Sequence, residues 1–378
     1  MTRIYLIRHG EAEGNLYRRA QGHYDARITA KGHRQIAALA ERFRDVHLDA
    51  LYSSDLLRTR TTAGAITKYH ELPMNLEPQL REICLGSWED EPWGDLSYKY
   101  PEAMVAFNDD PEAWSAPGSE AFEHLKERMV ATVLRLAAAH DGQTIACVSH
   151  GMAIRTLLSH IMGVPSREIR RLPHGDNTSV SLLEVEGDEM KVVFYNDGSH
   201  LGELSTFARQ SWWRKPGLHD TNNVRFRYLD PEKEPEKYLS FYSEAWESVH
   251  GSLEGFEPEL YLAAARQRYA EDERSVAIIL CGDETVGLTE LDTCRGEKEG
   301  YGWISLCCVR EAYRRQLLGV QLLGHAVSLF RKKGYRSIRL SVHPGNEAAV
   351  GFYTENGFVK IAETPGAFGM LDVMEKMI

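Results

Sequence analysis

Arg3-Ile4-Tyr5-Leu6-Ile7-Arg8-His9-Gly10-Glu11 is the stretch on which the reading of the first half of the chain turns. Its apolar run predicts a short buried strand over 3–8, and that run ends by delivering an arginine and a histidine together. Gly10 then lets backbone come close, which suits an anion site at the carboxyl edge of a sheet. The same order returns in Ser149-His150-Gly151, directly after a second apolar run at 144–148. Two histidines thus leave two strands of one predicted sheet.

Working outward, Ile36, Leu39, Ala40 and Phe43 recur at helical spacing, and Leu51-Tyr52-Ser53 reads as a strand followed by a helix through Ile66. Ser119 is expected to cap a long helix whose apolar stripe includes Phe122, Leu125, Met129, Val133 and Leu136. Such alternation implies a layered α/β/α fold with a largely parallel sheet. Past Asn196 the pattern breaks into Gly, Ser, Trp and Pro, including Trp212-Trp213-Arg214-Lys215-Pro216-Gly217. Domains are therefore expected over 1–205 and 223–378, joined by a linker at 206–222, with the tryptophan pair packed on one domain or between both. The second domain reads as α+β. A strand and helices precede a hairpin turning at Cys281-Gly282-Asp283-Glu284; a strand at 303–309, a helix at 317–332, a strand at 337–342, a helix near 346–355 and two last strands follow.

Bulk properties narrow the function. A chain of 378 residues exceeds one ordinary core and fits two domains. Residues 1–205 carry 22 basic and 30 acidic side chains, and the remainder 22 and 25, so neither half reads as a nucleic-acid binder. A phosphorylated substrate must then be drawn in by a local arginine cluster. No apolar run approaches the roughly 20 residues of a membrane span. The first strand begins close to Met1, and six cysteines without a CxxC pair read as buried thiols, so a cytoplasmic location without disulfides or structural zinc is expected.

Four features together, Arg8-His9-Gly10-Glu11, Ser149-His150-Gly151, Arg58 on the helix after Ser53-Ser54-Asp55, and Glu82 within Leu80-Arg81-Glu82-Ile83-Cys84-Leu85-Gly86, resemble the histidine phosphatase (phosphoglycerate mutase-like) superfamily over roughly the first 205 residues. The resemblance implies that His9 is a nucleophile forming a phosphohistidine, with Arg8, Arg58, His150 and Asn15 around the phosphoryl oxygens. It implies Glu82 as the general acid and then base, in a setting that holds it protonated at rest. Gln21, Gly22 and Gly151 are expected near the substrate, a small phosphorylated metabolite, and no metal is implied. Glu11 ranks below Glu82 as an acid; Arg18 is a candidate substrate contact beside Gln21 and Gly22, and Arg18-Arg19 reads equally well as a solvated pair. Trp88, Trp93 and Trp114 are expected mostly to pack, with one or two capping the substrate. Mutases of the family carry an extended insertion between the Glu and second His motifs. The stretch 83–149 is short here, which favours hydrolysis over phosphoglycerate mutase activity.

In the second half, Val309-Arg310-Glu311-Ala312-Tyr313-Arg314-Arg315-Gln316-Leu317-Leu318-Gly319, then Asn346-Glu347-Ala348-Ala349, Phe352-Tyr353 and Asn356-Gly357-Phe358, resemble the GNAT family of N-acetyltransferases over about 223–378. The resemblance implies acetyl-CoA as co-substrate and an amine as acceptor. Cys307, Cys308 and Val309 would pair by backbone with the pantetheine arm. Arg314, Arg315, Gln316, Leu317, Leu318 and Gly319 would hold the pyrophosphate at a helix N-terminus, Asn346 would touch the cofactor, and Tyr353 would protonate the departing thiolate. Glu290 is offered as a base for the acceptor, against an equally weighted structural reading. The family's turn carries glycine where Leu317 stands. That departure keeps open a non-catalytic acyl-CoA-binding or dimerising module beside the phosphatase, and a homodimer remains among the partners considered.

Overall fold

Strand β1 (Thr2–Arg8) forms because Ile4, Leu6 and Ile7 leave water completely on the two faces of one extended segment. The computed structural model describes residues 1–207 and 223–378. These divide into two compact units, one of Met1–Glu91 and Leu96–Lys215, the other of Pro92–Asp95 and Pro216–Ile378. The tryptophan pair and most of the expected linker lie outside the described residues.

In the first unit, β2 (Ala50–Ser53), β3 (Met74–Leu76), β4 (Thr144–Ser149), β5 (Val180–Glu186) and β6 (Glu189–Asp197) complete a sheet of order β3-β2-β4-β1-β5-β6. The first four strands of that order are parallel, and the β5–β6 hairpin extends it antiparallel. Register decides what meets at the edge. Arg8 pairs with Ser149, and Ser53 with Val148, so His9, Ser54 and His150 leave three neighbouring strands side by side.

Helices α2 (Ala30–Phe43) and α3 (Leu57–Ile66) cover the face that Tyr5 and Ile7 share, through Leu39, Phe43, Ala63 and Ile66. Helices α6 (Phe122–Ala139) and α7 (Gly151–Ile161) pack on each other and on β1. Alternation assigns them the face of Ile4 and Leu6. Shorter helices are α1 (Glu13–Tyr17), α4 (Trp93–Lys99), whose first residues fall in the stretch Pro92–Asp95 that groups with the second unit, and α5 (Pro101–Asp109). Ser119 does not cap α6. Its hydroxyl accepts from the Ala116 amide at 2.9 Å, and the helix starts after Ala121 with no side-chain cap. Ser119 is engaged in the turn before the helix instead.

In the second unit, β7 (Arg225–Tyr228), α8 (Pro235–His250) and α9 (Pro258–Glu271) precede the hairpin of β8 (Val276–Cys281) and β9 (Glu284–Asp292). Cys281 pairs with Glu284, so Gly282 and Asp283 form the two-residue turn, with Gly282 at φ 62°. After them come β10 (Tyr301–Val309), α10 (Leu318–Lys332), β11 (Ser337–Val342), α11 (Glu347–Glu355), β12 (Val359–Gly366) and β13 (Gly369–Met377). The sheet order is β12-β13-β11-β10-β9-β8-β7. Its single parallel pair, β10 with β11, holds only from Tyr301 to Trp303. A bulge between Ile304 and Leu306 follows, and the rest of β10 keeps β9 alone as its ladder partner. Among the described residues no helix is long and apolar enough to cross a membrane.

Candidate active sites

His9 is 3% exposed, and its Nδ1 lies 2.7 Å from the Gly10 carbonyl oxygen. A carbonyl only accepts, so Nδ1 carries the proton and Nε2 presents a lone pair. Burial first, then the Arg58 and Arg8 guanidinium groups, hold its pKa well below the ordinary histidine value. The ring is therefore neutral and nucleophilic near pH 7.

Arg58 is fully buried on α3, and its Nη1 and Nη2 donate to the carbonyls of Tyr24 (2.8 Å) and Gly22 (2.7 Å). Arg8 donates from Nη1 to the Gly175 carbonyl. The Nε atoms of both arginines are buried without a hydrogen-bond partner, and so is Nδ1 of His150. His150 is held from its other side, Nε2 lying 2.9 Å from Ser54 Oγ, and its ring centroid is 5.3 Å from that of His9. Each buried polar atom left unmatched costs about 1–3 kcal/mol, so three around one histidine mark a place built for an anion. Burial lowers the pKa of Arg58 only to about 10, so its charge persists at neutral pH.

Two glycines are explained by what a side chain would meet. At Gly151 a Cβ would sit 3.3 Å from Arg8 Nε, and at Gly22 it would sit 2.3 Å from the Ile83 carbonyl oxygen. Gly22 also donates its amide to Glu89 at 3.0 Å while its carbonyl holds Arg58, so the structure gives it a supporting place. Asn15 accepts at Oδ1 from the Ala12 amide (3.0 Å) and from Asn177 Nδ2 (3.4 Å). Gln21 packs against Gly14, with its Oε1 buried and unpartnered.

Glu82 stands at the start of α7. Its carboxylate accepts from the amides of Met152 (2.9 Å), Ala153 (2.8 Å) and its own neighbour Ile83 (3.0 Å). The carboxylate thus serves as a hydrogen-bond acceptor at a helix N-terminus. Glu11 is buried between Thr29 (2.8 Å), Thr206 (3.3 Å) and Lys31 (3.9 Å), a structural position. Arg19 is no solvated side chain, since it is buried against Asp90 at 2.8 Å. Trp88 and Trp114 are core residues whose rings meet at 5.3 Å.

The sequence reading missed the loop 173–178. Besides Gly175, it supplies Asn177, whose Nδ2 donates to the His9 carbonyl at 3.1 Å, and Thr178, whose amide donates to the same oxygen at 3.2 Å. The run Pro173-His174-Gly175-Asp176-Asn177 is dense in turn formers, and that was its only signal.

In the second unit, Cys307, Cys308 and Val309 occupy the part of β10 that β11 has left. Leu317 is the N-cap of α10 at φ 60°, no side chain caps that helix, and Arg315 is also left-handed at φ 62°. Leu317 thus adopts the backbone angle that glycine takes without strain, with its side chain 43% exposed. Uncapped amides at the start of α10 suit an anion. Arg314 lies beside them, donating to the Val309 carbonyl at 3.1 Å, and Gln316 donates to the Ala312 carbonyl at 3.2 Å. Leu318 is buried, and Gly319 faces the ring of Phe352. Asn346 caps α11 by accepting from the Ala349 amide at 3.1 Å. Tyr353 reaches the Cys307 side chain, and burial, then Cys307 and Cys308, keeps its phenol protonated well above the usual range. Glu290 is fully buried, ion-paired with Arg268 and accepting from the Tyr238 hydroxyl at 2.8 Å. Its structural reading is the one these contacts favour. No cluster of three or more metal-ligating side chains occurs among the described residues.

Comparison with known proteins places these features. The histidine phosphatase superfamily (branch 1) matches residues 4–198, more than half of the chain. The chain belongs to that superfamily. It also carries an acetyltransferase (GNAT) family domain, matched over 237–358, which implies acetyl-CoA as co-substrate. Similar proteins include "Probable phosphoglycerate mutase GpmB" of Erwinia tasmaniensis, 34% identical over 172 residues that cover 46% of this chain and 80% of that one. The protein of the same name from Yersinia pestis is 36% identical over the same shares. Among solved structures, Bacillus stearothermophilus YhfR is similar at 32% identity and a TM-score of 0.51, covering 53% of this chain and 99% of its own.

A titration checks the protonation state of His9. With its pKa held well below 6.5 by burial and two arginines, His9 should show no protonation step by nuclear magnetic resonance as pH falls from 8 to about 6. A step centred near the ordinary value of about 6.5 would show the ring to be solvated.

Proposed function

We propose that the chain is bifunctional: the first unit hydrolyses phosphomonoesters through a phosphohistidine on His9, and the second transfers an acetyl group from acetyl-CoA to an amine. The observation that carries the first activity is the set of buried, unpartnered nitrogens, Nε of Arg8 and Arg58 and Nδ1 of His150, around a neutral His9. His9 Nε2 forms the bond to phosphorus as the ester oxygen leaves, and Glu82 gives that oxygen a proton. Water then attacks the phosphohistidine, Glu82 takes its proton, and inorganic phosphate departs from a regenerated imidazole. Arg8, Arg58, His150 and Asn15 serve the oxygens throughout, with Gln21 and Gly151 at the border of the site.

A mutase reading draws on the names of the relatives. The short stretch between Glu82 and His150 favours hydrolysis, because less chain stands ready to exclude water. For the second unit, the free edge of β10 at Cys307, Cys308 and Val309 and the uncapped start of α10 fit the pantetheine arm and pyrophosphate of acetyl-CoA. Acetyl-CoA supplies the acetyl group; Tyr353 holds the proton that the departing sulfur needs. The strained Leu317 is what favours the alternative, a binding module without catalysis.

His9→Ala should abolish phosphate release, and wild type quenched during turnover should carry an acid-labile phosphoryl group on His9. In parallel, Glu82→Gln should slow alkyl phosphates by roughly 10²-fold or more while slowing activated aryl phosphates far less. Equal slowing of both would place the acid elsewhere. Leu317→Gly should relieve a left-handed leucine and raise stability by up to about 1 kcal/mol. It should also increase the thermal shift that acetyl-CoA produces, whereas an unchanged shift would separate this turn from the binding site.

A further inference from the structure

We infer that Asp176 is a positioning residue of the phosphoryl site and that the exit segment Leu204–Phe207 is a structural part of that site. The inference rests on the phosphoryl-transfer reading above. Asp176 lies between the two residues that hold the catalytic groups, since Gly175 accepts from Arg8 and Asn177 donates to the His9 carbonyl. It is 9% exposed, and its carboxylate is fully engaged. One oxygen accepts from the amides of Asn177 (2.7 Å) and Thr206 (3.1 Å), the other from the Ser205 hydroxyl and the Phe207 amide (3.3 Å).

The same segment is gripped from the opposite side. Gln35, on α2 and fully buried, donates to the Leu204 carbonyl (2.8 Å) and to Thr206 Oγ1 (2.9 Å). Its own Oε1 accepts from the Glu11 amide at 2.9 Å, two residues beyond His9. Lys31 donates to the Ser205 carbonyl at 2.9 Å. His9 is therefore bracketed: on one side the loop 175–178, on the other Glu11 and Gln35, with residues 204–207 as the piece that ties them together. A carboxylate that meets the amide of its own neighbour and three donors on residues 205–207 ties that segment to the loop, and removing it leaves buried amides unmatched. Asp176 also faces Arg8 electrostatically, opposing the effect of burial on that guanidinium.

Two consequences separate this from a merely structural carboxylate. Loss of Asp176 should loosen Arg8 first, so affinity for the phosphoryl group falls along with turnover. Thr206, thirty residues away in sequence and expected in the linker, should share the effect.

The experiment uses the full chain with Asp176→Ala, Asp176→Asn and Thr206→Val, each checked for folding by circular dichroism and thermal melting. Inorganic phosphate is the binding probe, by calorimetry and as a competitive inhibitor of aryl phosphate turnover. Asp176→Ala should weaken phosphate binding and lower kcat/KM by at least tenfold, Asp176→Asn should recover most of both, and Thr206→Val should move both in the same direction by a smaller factor. The double variant should lose less than the product of the single losses, because both act on one network. If Asp176→Ala fails to fold, Asp176→Asn and Thr206→Val carry the test. Folded variants that bind phosphate and turn over within twofold of wild type would overturn the inference. A wild type that binds phosphate but releases none from esters would sink the hydrolase reading instead, and phosphate affinity across the variants would still decide the role of Asp176.

Discussion

The parallel pairing of β4 with both β1 and β2 is the constraint on which the first unit depends. Because Arg8 stands opposite Ser149 and Ser53 opposite Val148, three strand ends expire at one level of the sheet. A slip of one residue in either ladder would turn His9 or His150 to the wrong face. The helix that starts immediately after His150 follows from the same register. Its first free amides have nowhere to go within the helix, and the Glu82 carboxylate meets them. His9, Arg8 and His150 thus take their places from strand ends, Arg58 from the start of α3, and the Glu82 carboxylate from the start of α7, with the loop 173–178 bracing Arg8 and His9.

What distinguishes the arginines of this site is the kind of acceptor they meet. Arg19 is buried against a carboxylate, so its charge is neutralised before any ligand arrives. Arg8 and Arg58 are held by carbonyl oxygens, which orient a guanidinium without cancelling its charge. Arg155, on α7, follows the second pattern on the far side of the loop, donating to the Leu172 and Ile169 carbonyls at 2.7 Å each. There the effect is to hold the loop that carries Gly175 and Asn177. Buried cations held by neutral acceptors lower stability, and the offset comes only from a bound anion or from the precise backbone they support.

The sequence made the strand-end motifs legible because each is local: an apolar run, then Arg-His-Gly or Ser-His-Gly, with side-chain chemistry that needs no distant partner to be noticed. The element order of the second unit was readable for the same reason, down to the turn at Gly282 and Asp283, as were β1, α2, β2, α3, α6 and β4 of the first, whereas β3, the β5–β6 hairpin and α7 were not. Ser119 misled because a capping serine and a turn serine look alike until the backbone before the helix is seen. Glu82 was placed at the site, but its acceptor setting depends on amides seventy residues away. Arg19 read as solvated because Asp90 is equally remote. The loop 173–178 and the segment 204–207 were missed altogether. Their contribution is backbone carbonyls and amides, the Asp176 carboxylate, the Asn177 side-chain amide and the Ser205 and Thr206 hydroxyls, short polar groups that in sequence look like ordinary turn residues.

The second unit shows the converse, a motif that departs in residue type but keeps its backbone. Leu317 takes the left-handed angle at the start of α10 even though leucine is strained there. A left-handed residue costs roughly 1–2 kcal/mol when it carries a Cβ, so the surrounding turn must hold it. Leu318, buried in one cluster with Val286 and Leu322, anchors the turn from the helix side, and Arg314 ties its other end to the Val309 carbonyl. The amides needed to meet an anion belong to the backbone, so they survive the exchange of glycine for leucine, while the side chain is displaced outward and stays partly exposed. A leucine at this position therefore leaves the amides at the start of α10 as uncapped as a glycine would.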